Sequence, residues 1–287
     1  MSGADWQDRY FTSADGLRLH YRDYPAVQPG RVPVLCLPGL TRNCRDFETV
    51  APRIQRTRRV LCADLRGRGL SQHDPNWQNY HPGTYVADIA RLLADAGVPR
   101  VIVLGTSLGG ILAMLIAATT PQVLAGVILN DVGPEVAAEG LKRISTYVGK
   151  SPPVRNWTEA VAQAKAIYGL AWPGATDADW TSFARRSYTE VDGVPRLAMD
   201  PMIGEAVRAA PSGAAPDLWP VFGALRPIPT LALRGAISDV LSPQTFDRMA
   251  TEKPDLVRVT VAGRGHPPML DEPDSVAAID AFLARLD

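Results

Sequence analysis

Ser107 lies at the centre of Gly105-Thr106-Ser107-Leu108-Gly109, a match to G-x-S-x-G. Such a turn presents a serine hydroxyl for attack on an acyl group. A hydroxyl is a poor nucleophile until a base takes its proton. His266, in Gly263-Arg264-Gly265-His266-Pro267-Pro268, is the candidate base and later the acid for the leaving group. Asp239, at the end of Arg234-Gly-Ala-Ile-Ser-Asp239, is the expected partner that fixes the imidazole tautomer and stabilises the imidazolium. The order Ser107, Asp239, His266 is the Ser…Asp…His order of one known hydrolase arrangement. Asp131 is the rival acid and is read as part of an Asn-Asp turn. Two backbone amides are expected to hold a developing oxyanion. One belongs to Leu108, at a helix N-terminus. The other belongs to Leu40, in Pro38-Gly39-Leu40. The remaining histidines suit other roles: His20 falls inside a strand pattern, and His73 and His81 fall in a polar loop.

These residues need a frame that brings them together. Before Ser107 stands the β-branched run 101–104, and after it the Ala/Leu-rich run 111–117, so the stretch reads strand, tight turn, helix. The uncharged run 101–118 has the length of a membrane span, but its glycines and the Thr106-Ser107 pair interrupt it. Upstream, strands are expected at 6–12, 17–24, 32–37 and 59–65, with Ala14-Asp15-Gly16 as a hairpin turn. A short helix is expected over 47–54. A longer one over 84–96 carries Val86, Ile89, Leu92 and Leu93 on one face and ends at Gly97. Strands at 124–130, 228–233 and 256–261 follow, with helices at 243–250 and 275–286. Alternating strands and helices imply a mostly parallel sheet covered on both faces. Ligands bind such sheets at the carboxyl ends of the strands, where Ser107, Asp239 and His266 all fall. The segment 133–222 breaks the pattern: it has little strand signal and holds four of the six Trp. Most of its aromatics suit a core of its own, and some suit the lining of a pocket. The expected division is 1–132, an inserted helical lid at 133–222, and 223–287.

With 287 residues the chain suits one large domain carrying an insert. Thirty basic and thirty acidic side chains cancel, which removes the electrostatic footprint of a nucleic-acid binder or an anionic-membrane binder. Three cysteines, Cys36, Cys44 and Cys62, show no zinc spacing and fit a reducing compartment. The N-terminus is charged where a signal peptide needs an apolar core, so a cytoplasmic location is expected.

The chain resembles the α/β-hydrolase fold superfamily over essentially its full length. The resemblance rests on Leu37-Pro38-Gly39-Leu40, on Asp64-Leu65-Arg66-Gly67-Arg68-Gly69-Leu70-Ser71, on the elbow 105–109, and on Gly265-His266. It implies an α/β fold with an eight-stranded sheet whose second strand is antiparallel, a lid after the sixth strand, and neither metal nor organic cofactor. Asp64 and the glycines after it read as structural. Pro38 stands where the superfamily usually has His, which alters the local hydrogen bonding near Leu40. A serine at the elbow, where dehalogenases and epoxide hydrolases of this fold use Asp, favours acyl transfer. The expected activity is hydrolysis of small apolar carboxylic esters or lactones through an acyl-enzyme. The alternatives are carbon–carbon bond hydrolysis of aromatic ring-fission products, and a cofactor-free oxygenase or ligand-binding use of the fold. The expected partner is a small-molecule substrate, with no nucleic acid and no membrane; the oligomeric state is left open.

Overall fold

The computed structural model describes residues 6–209 and 217–286. Residues 1–5, part of the N-terminal segment read above, 210–216, part of the segment expected to form a lid, and 287 lie outside the described residues. In chain order the elements begin with β1 (Gln7–Thr12), β2 (Arg18–Tyr24), β3 (Val34–Leu37), α1 (Ala51–Ile54), β4 (Val60–Ala63), α2 (Pro82–Asp95), β5 (Val101–Thr106), α3 (Leu108–Thr119) and β6 (Leu124–Asn130). Then come α4 (Ala138–Tyr147), α5 (Trp157–Tyr168), α6 (Asp177–Ser187), β7 (Tyr188–Val191), β8 (Val194–Leu197), α7 (Ile203–Ala209) and α8 (Trp219–Gly223). The chain closes with β9 (Thr230–Gly235), α9 (Pro243–Glu252), β10 (Val257–Val261) and α10 (Pro273–Ala284). No helix among the described residues is long and apolar enough to cross a membrane.

Eight strands form one sheet in the order β1-β2-β4-β3-β5-β6-β9-β10. β2 pairs antiparallel with both neighbours, and every other pairing is parallel. The central strands β3, β4, β5, β6 and β9 are buried along their whole length. Uninterrupted apolar runs such as Val101-Ile-Val-Leu104 are what a strand covered on both faces requires. Alternate side chains serve the two layers. Leu35, Leu61, Val101 and Val103 join the core beneath α2 and α3, and Val34, Val60, Ile102 and Leu104 join the core beneath α1 and α10. The edge strand β10 alternates between half-buried and exposed positions instead.

The segment between β6 and β9 has a core of its own around Val154, Ala160, Trp180, Phe183 and Tyr188. Its later helices return to the main core, to which Ile203 and Phe222 belong. It also contains a hairpin, β7 against β8, absent from the expectation of little strand. Asp192 and Gly193 form its turn with φ of 50° and 74°, the left-handed pair that a two-residue hairpin needs.

Candidate active site

Ser107 lies between β5 and α3 with φ 51° and ψ −114°. A non-glycine residue at positive φ is strained and needs surroundings that enforce it. The glycines show how this is done. A Cβ on Gly105 would lie 2.4 Å from the carbonyl carbon of Gly109, and one on Gly109 would lie 2.1 Å from the Leu37 oxygen. Strand, elbow and helix therefore approach more closely than any side chain allows.

The histidine predicted to serve this serine does reach it. His266 Nε2 lies 3.0 Å from Ser107 Oγ. Its Nδ1 lies 2.7 Å from Asp131 Oδ2. A carboxylate only accepts, so Nδ1 carries the proton and Nε2 presents its lone pair to the serine hydroxyl. Asp131 is fully buried and His266 is 7 % exposed, so solvent screens this line little.

Asp131, rather than Asp239, is therefore the acid in contact with the base. Both follow carboxyl ends of adjacent strands, β6 and β9, but only Asp131 points along the sheet edge to His266. Its φ of 57° turns the chain there, and its amide donates to Leu233 O at 2.8 Å. Its carboxylate also accepts from Gly235 N at 2.8 Å and from Ser238 Oγ at 2.6 Å. Asp239 is turned the other way, into a two-point pairing with Arg143 of α4 at 2.6 and 2.9 Å. Burial opposes charge on Asp239, but the bonds and charge of Arg143 outweigh it and hold the carboxyl below its usual range.

The amides expected to face an oxyanion are placed beside the nucleophile. Leu108 N opens α3 immediately after Ser107. The loop carrying Leu40 passes close by: a Cβ on Gly39 would lie 3.7 Å from Ser107 Cβ. Neither amide donates to an acceptor among the described residues. The loop is fastened from behind by Arg68, whose Nε donates to Leu40 O at 3.0 Å. Arg68 is completely buried and also donates to Tyr85 OH at 2.9 Å. Thus the Asp64-to-Ser71 stretch supports the loop that Pro38 opens. Asp64 itself is structural: its oxygens take Cys44 N, Leu70 N and His20 Nδ1, and a Cβ on Gly69 would meet it at 2.1 Å.

Several positioning contacts were not anticipated. The Asn130 amide donates to Thr106 Oγ1 at 3.1 Å and to Pro268 O at 3.0 Å, tying the elbow strand to the histidine loop. Gly265 N donates to Ala171 O at 2.7 Å, tying that loop to the insert. The Asn130-Asp131 pair at a strand end was the sequence signal for the first. No signal pointed to the second.

Above Ser107 and His266 lies a narrow chamber of about 70 Å³, walled by Leu40, Ile144, Tyr147, Tyr168, Trp172 and Phe183. The segment between β6 and β9 thus supplies the aromatic part of the wall, and Tyr168, Trp172 and Phe183 serve both its own core and this chamber. One described group has the residue types for a metal, His20, Cys44 and Asp64, with ligand atoms within 4.8 Å of one another. Its Asp64 oxygens are already taken as above, and burial pushes the Cys44 thiol up, away from the thiolate a metal needs. The arrangement at Ser107 is suited to nucleophilic acyl transfer.

A sequence profile described as the alpha/beta hydrolase family matches residues 34–279. The 3-hydroxybutyrate-oligomer hydrolase of Cupriavidus necator is 31% identical over 274 residues, covering 93% of this chain and 92% of that protein. The 2-(acetamidomethylene)succinate hydrolase of Mesorhizobium japonicum is 27% identical over 234 residues, covering 81% of each. Among solved structures, an alpha/beta hydrolase from Novosphingobium aromaticivorans superposes with a TM-score of 0.93 at 45% identity, covering 99% of this chain and 100% of that one.

Proposed function

Because this chain belongs to the alpha/beta hydrolase family, we propose that its site hydrolyses carboxylic esters, lactones included, through an acyl-enzyme on Ser107. The observation that carries the reading is His266 standing between Ser107 and Asp131 at 3.0 and 2.7 Å. In this reading the Ser107 oxygen attacks the ester carbonyl as its proton passes to His266 Nε2. Asp131 stabilises the imidazolium through the Nδ1 proton. The Leu40 and Leu108 amides hold the oxyanion; each such donor typically contributes about 2.7–4 kcal/mol to lowering the barrier. Collapse breaks the bond to the alkoxide, which leaves with the proton from His266. Water then attacks the acyl carbon, gives its proton to His266, and the acid departs as Ser107 recovers that proton. The relative from Cupriavidus necator is named for hydrolysing 3-hydroxybutyrate oligomers, whose units are joined by ester bonds, which supports an ester as the substrate.

Intact-protein mass after exposure to a fluorophosphonate tests the reading, with Ser107→Ala as control. One adduct in the wild type and none in the variant, with ester turnover lost in parallel, is expected. Full ester turnover by Ser107→Ala would overturn it. Turnover of a vinylogous 1,5-diketone in place of esters would redirect the chemistry to carbon–carbon cleavage.

A further inference from the structure

Arg66 and Arg68 stand two residues apart after β4, and both are buried, but their charges are met differently. Arg66 pairs with three carboxylates, those of Asp15, Asp74 and Asp88. Arg68 has no carboxylate partner among the described residues. Its Nη1 donates to Arg66 O at 2.7 Å and to Tyr85 OH at 2.9 Å, and its Nε donates to Leu40 O at 3.0 Å. Its Nη2 meets no hydrogen-bond partner among the described residues. The Tyr85 ring centre lies 4.9 Å from the guanidinium carbon. A buried cation that lacks a carboxylate and leaves donors unpaired is costly to a fold. The backbone here is anchored without that side chain: Arg68 N donates to Leu65 O at 3.0 Å, and Gly69 N donates to Ala198 O at 2.9 Å.

What the guanidinium holds is a turn. Arg42 N donates to Gly39 O at 3.1 Å, which closes residues 39–42 into a β-turn with Leu40 in second place. The peptide carrying the Leu40 N–H is therefore restrained through its own carbonyl, Gly39 O. The central peptide, Leu40 C=O with Thr41 N–H, takes no part in the turn bond and is the one left free to rotate. Pro38, just before the turn, has no N–H with which to restrain it. Arg68 Nε is the donor that holds the central carbonyl. The Leu40 carbonyl and the Leu40 amide belong to one residue, so turning the first disturbs the second.

We propose that Arg68 is the positioning residue of the oxyanion site, its Nε fixing the turn 39–42 so that the Leu40 amide faces the oxygen that becomes charged. The proposal rests on the ester-hydrolase reading above and adds to it the group that aims one of the two donors. The charge contributes as well. No carboxylate cancels it, so an oxyanion on the far side of the turn meets a net positive field in a water-poor interior.

The test compares Arg68→Gln, Arg68→Lys and Tyr85→Phe on 4-nitrophenyl acetate, with circular dichroism and urea melts for folding. A misplacement of about 1 Å can cost about 10²-fold, so Arg68→Gln should lower kcat and kcat/KM alike by about 10- to 100-fold. Arg68→Lys keeps the charge but puts a methylene where Nε stood, and it should lose about three- to tenfold. Tyr85→Phe takes a bond from the same guanidinium without touching the turn; its urea midpoint should fall while turnover stays within about twofold of wild type. The stable fluorophosphonate adduct on Ser107 places its P=O oxygen at the oxyanion position. Its phosphorus NMR shift should move toward that of the denatured adduct in both Arg68 variants and stay in place in Tyr85→Phe. A folded Arg68→Gln within about threefold of wild type in kcat/KM, or with an unmoved phosphorus shift, would overturn the proposal. If Arg68→Gln does not fold, Arg68→Lys decides: wild-type rate and shift there would overturn it, because Nε is gone. A loss in Tyr85→Phe equal to that in the Arg68 variants would assign the effect to the stability of the cluster and overturn it too. Absence of both a Ser107 adduct and ester turnover in the wild type would instead defeat the underlying ester-hydrolase reading.

Discussion

Asp131→Asn is the substitution that separates the observed acid from the one the sequence favours. The carboxylate uses Oδ1 for the Gly235 amide and Oδ2 for both His266 Nδ1 and Ser238 Oγ. An asparagine has one oxygen and one NH2. The Gly235 N–H can be met only by the oxygen, so the NH2 must face His266. It then donates to Nδ1, which forces the ring proton onto Nε2, facing Ser107. In that tautomer the ring cannot take the serine proton. The same exchange in the best-studied serine protease triad lowers kcat by about 10⁴, equivalent to about 5.4 kcal/mol in the barrier. The NH2 also meets Ser238 Oγ, which already accepts from Val240 N and Leu241 N at 3.2 and 3.1 Å. The fold should therefore lose about 1–3 kcal/mol while staying intact. Asp239→Asn removes only the Arg143 pairing, and its turnover should stay within about fivefold of wild type, the change that an interaction of about 1 kcal/mol sets. Initial rates on an activated ester, with circular dichroism to verify folding, decide the matter. A folded Asp131→Asn within tenfold of wild type, beside a larger loss in Asp239→Asn, would refute the assignment.

Two further outcomes follow from contacts described above. Gly109→Ala brings a methyl to within 2.1 Å of the Leu37 oxygen, and the backbone there has nowhere to move. Overpacking of this kind should cost about 3 kcal/mol or more, seen as a lowered urea midpoint together with lost ester turnover; an unchanged midpoint would show that the elbow is looser than its geometry. The Asp239 carboxyl is held below its usual range, so its pairing with Arg143 stabilises the fold above the unfolded value, near pH 3.9, and fades as pH falls through the lower folded value. Urea melts should give Arg143→Gln a deficit of about 1 kcal/mol at neutral pH that shrinks below about pH 4. A deficit constant across that range would assign the contribution of Arg143 to packing.

The frame was legible because its signals are local. The five central strands each carry a short apolar run, the elbow is a pentapeptide, and Gly97 stops α2 at φ 65°. His266 was legible because a histidine immediately beyond the last strand must lie at the carboxyl edge of the sheet. The acid was not. Asp131 and Asp239 follow neighbouring strands, and chain order suits either. The choice is made by side-chain direction, which depends on the turn at Asp131 and on an arginine from α4 far along the chain. The hairpin of β7 and β8 did have a signal, Asp192-Gly193 between Tyr188-Thr-Glu-Val191 and Val194-Pro-Arg-Leu197. Pro195 obscured it, since proline suits only an edge strand, and with two strands both are edges. The Arg68 support of Leu40 depends on a contact across 28 residues that no spacing rule encodes.

The bond from Gly265 N to Ala171 O joins the residue before the base to the roof of the chamber. A Cβ on Gly265 would lie 2.7 Å from Ala171 Cα, so the two backbones are in direct contact as well as bonded. Roof and base therefore share one fixed point: the chain carrying His266 is anchored to the roof through Gly265 N and to the end of β6 through Pro268 O, so the base is held from both walls of the chamber at once.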